Sequence, residues 1–237
     1  MTTMIKAKLV ELIKAIGREE QALFEKLAEA ERSERGEADK WAPKDALAHI
    51  AAWKERQADN FAAAARGEAQ TRYDEYESIN AKEFLEYRDA PWAEILKKAS
   101  EANRRVVEQI ERMSEEKLQG LRENKDKEWQ GILGTAYIHT ISHLGQIYAE
   151  RGRKDLADKL AEHAAVEMLK LDGDRSWEGT VKYNLACHRA LAGETEQAVR
   201  GLREALALRP DLKEWSKEDT DFASIRKDPG YLAIYKD

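Results

Sequence analysis

His139 and His143 stand four residues apart in the sequence His139-Thr140-Ile141-Ser142-His143. On a helix that spacing puts two imidazoles on one face, one turn apart, aimed at a common point. Helices of bundles supply metal ligands in this way. The plain alternative is a coincidental pair of core histidines, each held by a backbone carbonyl. The pair lacks the glutamate of HExxH, which disfavours a zincin-type protease, and the chain has no GxSxG elbow, P-loop, GxGxxG or CxxC. A further histidine, His49, shares one helical face with Asp45 and Trp53 at i−4 and i+4. Alone it is a core or surface residue; only partners would give it chemistry.

The element that must carry the pair is Gln130–Ala149. The chain is 36% charged, yet this stretch contains no Asp, Glu, Lys or Arg, and it is flanked by Lys125–Glu128 and Glu150–Asp155. Tyr137, Ile141, Leu144 and Tyr148 form one apolar stripe, and Ala136, Thr140 and Ile147 a second. A helix apolar nearly all round is a buried one. Three glycines, two histidines, Thr140, Ser142 and Gln146 make it too polar for a membrane span.

Around it the periodicity predicts three more long helices. The first runs from about Thr3 to Ala30 on the stripe Ile5, Leu9, Leu12, Ile16, Leu23 and Leu27. The second opens at Trp41-Ala42-Pro43, with Pro43 suited to a first helical position, and runs to about Gly67. Glu68–Ala90 is a polar, aromatic connection with room for one short helix. It is long enough to cross over and set the second and fourth helices side by side. The third starts at Pro91-Trp92, turns Trp92, Ile95, Ala99, Val106, Ile110 and Met113 inward, and stops near Gly120. Four prolines, thirteen glycines and abundant Ala, Glu, Lys and Leu suit an all-α chain.

After Gly152 the character changes. Leu156, Leu160, Ala164 and Met168 make an ordinary amphipathic stripe, with His163 at its margin. Two helices then meet at Ala192-Gly193-Glu194. The pattern Tyr183, Leu185-Ala186, Leu191, Gly193, Ala198, Leu202, Ala205-Leu206 and Pro210 resembles a tetratricopeptide repeat. A single repeat needs something to pack on, and Trp215, Phe222, Ile225 and Tyr231 are expected to cap its apolar end. Cys187 falls where such a repeat wants a small buried residue, so it is expected to be inert. The organisation expected is a four-helix bundle over 1–152 and a repeat-like unit over 153–237.

The 237 residues carry a net charge of −6 and one cysteine. That balance argues against nucleic-acid binding, and the lone cysteine excludes an internal disulfide framework and suits a reducing compartment. The opening residues become charged too soon for a signal peptide, so a cytoplasmic protein without a membrane anchor is expected. A homodimer through exposed helical faces is compatible with such a bundle.

Residues from about Met4 to Gly152 resemble the DinB-like superfamily, and particularly its ClbS/DfsB-like branch. The resemblance is carried by Trp41-Ala42-Pro43-Lys44-Asp45-Ala46-Leu47-Ala48-His49-Ile50-Ala51-Ala52-Trp53, by Ile79-Asn80, and by His139-Thr140-Ile141-Ser142-His143-Leu144-Gly145-Gln146-Ile147. It implies a four-helix bundle with the crossover. It also implies a three-His metal site at His49, His139 and His143. Three imidazoles with an open fourth position describe a catalytic rather than a closed structural site, and imidazole suits zinc or nickel. Asp45 and Gln146, one turn from ligands, could orient an imidazole or a water, with Trp53 as an apolar wall of a substrate pocket. Metal-dependent members of the superfamily act as thiol transferases and isomerases, which brings a low-molecular-weight thiol and a small reactive substrate into view. ClbS-like members resemble protective hydrolases with no clear need of metal. The non-enzymatic alternative is a protein whose histidines are core residues and whose repeat binds a protein partner.

Overall fold

The computed structural model describes residues 4–38, 40–73, 75–122 and 126–236. Thr3 and Lys125, at the edges of two predicted segments, lie outside them. Among the described residues there is no strand; the two isolated bridges, Glu37 with Lys40 and Leu121 with Lys127, only close turns. The fold is all-α, as the composition predicts. It falls into two compact units, Met1–His143 and Leu144–Asp237. Among the described residues no helix is long and apolar enough to cross a membrane.

The first unit is built from α1 (Ile5–Glu25), α2 (Glu29–Ser33), α3 (Pro43–Ala65), α4 (Tyr76–Tyr87), α5 (Trp92–Arg112), α6 (Glu115–Gln119) and α7 (Glu128–Leu133). A π-helical turn (Gly134–Ile138) then leads into α8 (His139–Glu150), whose first five residues close the unit. α1 buries Ile5, Leu9, Leu12, Ile13, Ile16, Leu23 and Phe24, the face its stripe predicts. α5 buries Ile95, Ala99, Ala102, Val106, Val107 and Ile110. It packs between α1 and α3, and α3 also meets α4 and the π-helical turn.

Two predicted helices are shorter than expected. The first ends at Glu25, and the chain restarts as α2 after Leu27 is buried in the turn. Glu31 there accepts the Ala28 N–H at 2.7 Å. The third ends at Arg112, and Ser114 caps a new helix by accepting the Lys117 N–H at 3.1 Å. In both places a polar side chain, Glu31 reaching back from the third helical position or Ser114 at the cap itself, satisfies an N–H that would otherwise need the helix to continue.

The second unit continues with α9 (Lys154–Leu169), α10 (Arg175–Leu191), α11 (Thr195–Leu208), α12 (Lys213–Glu218) and α13 (Pro229–Ile234), with 3₁₀ turns at Pro210–Leu212 and Thr220–Ile225. The turn between α10 and α11 uses Gly193 at φ +76°, a backbone region in which a Cβ is strained. The core of the pair is Tyr183, Ala186, Cys187, Ala190, Ala198, Val199, Leu202, Ala205 and Leu206, closed by Phe222, Ile225 and Tyr231. Trp215, expected among the closing residues, is instead 60% exposed. In α12 the inward position belongs to the neighbouring Ser216, whose hydroxyl meets Tyr235 Oη at 2.8 Å.

Small residues set how closely α10 and α11 approach. A Cβ on Gly179 would lie 2.8 Å from both Leu208 Cβ and Arg209 Cγ, and 3.3 Å from the Ala205 carbonyl oxygen. Gly179→Ala is therefore expected to destabilise this unit by about 1–3 kcal/mol, as overpacking does, despite alanine's better helix propensity. Urea denaturation followed by circular dichroism reads this directly; unchanged or increased stability would show that the helices can part without cost.

Candidate metal centre

α3 supplies His49, and α8 supplies His139 and His143. α3 starts at Pro43, whose missing N–H costs nothing there. The Asp45 carboxylate accepts the Ala42 N–H at 2.9 Å and a backbone hydrogen bond from Gly36, so the loop before the helix is tied to its first turn. α8 begins immediately after the π-helical turn, and the Thr140 hydroxyl donates to the Ala136 carbonyl at 3.1 Å across that junction. Such π segments widen a helix locally and recur at functional sites.

The three rings converge. His139 Nε2 lies 3.0 Å from His49 Nε2 and 3.1 Å from His143 Nε2. The ring centroids are 4.6–5.0 Å apart, and the rings meet edge to face. His49 is buried and the other two are half-buried. Trp41 covers the cluster, its ring 4.5 Å from the His49 ring and stacked at 6.0 Å on that of His143. On the other side His49 Nδ1 is 3.5 Å from Glu83 Oε2, while Arg56 pairs with the second oxygen of the same carboxylate.

Burial disfavours the charged form of all three rings. It pulls the His49 pKa down to about 4, with the Arg56 guanidinium adding to the effect. Burial likewise lowers His143 to about 3, with His49 contributing. His139 falls well below the ordinary histidine value, by burial and then by the neighbouring histidines and Lys54. The cluster is neutral at neutral pH, the state in which imidazole is a metal ligand.

This arrangement fits a divalent ion. A tetrahedral ion with bonds of about 2.0–2.1 Å would hold its ligand nitrogens about 3.3 Å apart, close to the spacings present. Core histidines would direct these nitrogens to backbone carbonyls; here they face one another. Among the described residues no fourth His, Cys, Asp or Glu joins the cluster, so the donor set is three neutral nitrogens.

Asp45 lines the same narrow cleft as Trp41, His49, Asn80 and Glu83, but its carboxylate is held by the backbone amides it caps. Trp53 stands edge-on to His49 at 6.2 Å and donates from Nε1 to Asn80 Oδ1 at 3.1 Å. Gln146 is exposed and donates along its own helix to Glu150 at 3.0 Å. Trp41 and Asn80 belong to the motifs already noted, whereas Arg56 and Glu83 lie outside every motif. In so charged a chain they read as solvated side chains; the one available signal is that Asn80, Glu83, Phe84 and Tyr87 fall on one face of α4.

The second cluster that could hold an ion, Cys187, Asp219 and Asp221, has structural partners. Asp219 accepts the Tyr183 hydroxyl at 2.8 Å and the Asp221 N–H at 3.0 Å. Burial, together with Asp221 and Asp219, pushes the Cys187 thiol well up, which makes it unreactive.

No curated protein and no solved structure matches the chain significantly. The model of one family, the DinB superfamily, matches residues 14–147, which is more than half of the chain and includes all three histidines. The chain belongs to the DinB superfamily.

Proposed function

We propose that the first unit is a metal-dependent hydrolase or thiol transferase acting on a small reactive molecule, with His49, His139 and His143 holding zinc or nickel. The observation that carries this is the convergence of three neutral Nε2 atoms at 3.0–3.1 Å with no carbonyl among them. A bound ion supplies Lewis acidity at its open position, toward a water, a thiol or a carbonyl oxygen. Trp41 and Trp53 would exclude bulk water. The Arg56 guanidinium, paired with Glu83, lies 5.2 Å from the Trp53 ring and 5.6 Å from that of Tyr73 and so ties the wall of the site together.

A second reading, a ClbS/DfsB-like pocket that protects without metal, is favoured by one contact. The Trp53–Asn80 hydrogen bond joins two of the motifs that resemble that branch. For the second unit we propose a tetratricopeptide-like role as a partner-binding or shielding module. The close α10–α11 packing supports it, with Gly201 and Ala186 at the interface.

Elemental analysis of protein purified without a nickel column or chelator tests the metal. Near-stoichiometric zinc or nickel is expected, lost in both His49→Ala and His143→Ala. Absence of metal after soaking the intact protein at neutral pH would defeat the proposal and leave the metal-free pocket.

A further inference from the structure

Amphipathic helices normally dock by burying apolar side chains. α4 buries one residue among those described, and it is Glu83, 4% exposed. A carboxylate taken out of water needs partners that repay the desolvation. The helix is positioned against α3 by polar contacts along its length. Lys44 Nζ donates to the carbonyls of Arg88 and Ala90 at 2.7 and 3.2 Å, just beyond the end of α4. Trp53 reaches Asn80 near its start, and Arg56 pairs with Glu83 itself. These contacts deliver one carboxylate oxygen to 3.5 Å from Nδ1 of His49.

Neutral imidazole carries one N–H, and a partner on one nitrogen decides what the other can do. We propose that Glu83 is a positioning residue: its carboxylate takes the Nδ1–H of His49, which turns the Nε2 lone pair toward His139 and His143. Arg56 holds the carboxylate for this task from its other oxygen. The separation is longer than a formed hydrogen bond, and a shift of about 0.5 Å brings it into range. Metal-ligating histidines are commonly oriented in this way by a carboxylate on the far nitrogen. The proposal rests on the three-His metal reading for its consequence, but the tautomer of His49 can be measured without any metal.

The test uses ¹⁵N-labelled full-length protein, stripped of metal, and long-range ¹H–¹⁵N correlation of the imidazoles. In the wild type His49 is expected to be the Nδ1–H tautomer. Glu83→Leu is expected to move it to Nε2–H and to weaken the binding of zinc, measured by competition with a chromogenic chelator, by about 10–100-fold. Glu83→Gln keeps an accepting oxygen and should retain the tautomer and most of the affinity; the contrast with Glu83→Leu, a side chain of similar bulk, is what a merely space-filling role would not produce. An Nε2–H tautomer in the wild type overturns the proposal, as does a Glu83→Leu protein with tautomer and affinity unchanged. Should that variant not fold, the wild-type spectrum still decides. Failure of the wild type to bind zinc would defeat the metal reading alone, because the spectrum reports on Glu83 independently.

Discussion

Glu20→Ala is expected to destabilise the first unit by about 3–5 kcal/mol, as breaking a buried ion pair typically does. Lys54 on α3 is fully buried and Glu20 on α1 is 4% exposed, with Nζ and Oε2 2.8 Å apart. Removing the carboxylate leaves an ammonium group inside the bundle with nothing to replace its hydration. Replacing both partners by apolar residues of similar size, as in Glu20→Leu with Lys54→Met, removes that cost and should recover most or all of the stability. Chemical denaturation of the two single variants and the double variant closes the cycle. Near-additive, small losses would mean that water reaches Lys54, for instance through the cleft beside Gly17, Glu20 and Asn103. The pair also bears on the site, since the Lys54 ammonium adds to the burial that lowers the His139 pKa.

Neither Glu20 nor Lys54 can be read as buried from the sequence, and the reason extends to the site. Apolar periodicity locates a helix and its inward face, which is why Ile5–Leu23 and Ile95–Ile110 fall where they were expected. It is silent about which charged residues in Lys54-Glu55-Arg56 turn inward, because in a chain this rich in charge the solvated and the paired side chain look alike. Lys54 is fully buried there, while Arg56 is partly exposed and paired with Glu83. The histidines were legible because i,i+4 spacing fixes His139 and His143 on one face, and resemblance, not spacing, added His49. The π-helical turn over Gly134–Ile138 leaves no periodic signature over five residues. Glu83 was invisible for a further reason. Its helix fully buries no apolar residue, and Phe84 and Tyr87, which share the inward face with Glu83, are only partly buried, so the stripe that would betray a docked helix is weak.

Acid is expected to weaken the metal-free protein beginning near pH 6.5, well before its carboxylates protonate. The sign follows from burial. In the unfolded chain a histidine takes up its proton near 6.5, but folded His49 does so only near 4, and His143 only near 3. Between those values the unfolded state binds more protons, so stability falls as pH falls, by up to about 1.4 kcal/mol per pH unit for each such histidine. The Glu83 carboxylate 3.5 Å from Nδ1 opposes this shift, so His49 accounts for at most about 3 kcal/mol of loss between pH 6.5 and 4; below its folded pKa its contribution levels off. His49→Gln removes the titration, and the difference between its stability profile and that of the wild type reports on His49 together with its influence on His139 and His143. Parallel profiles from pH 7 to 4 would show that His49 titrates normally in the folded state. They would also mean that burial does not keep His49 neutral below pH 6.5, leaving the convergence of the three Nε2 atoms as what prepares the cluster for a metal.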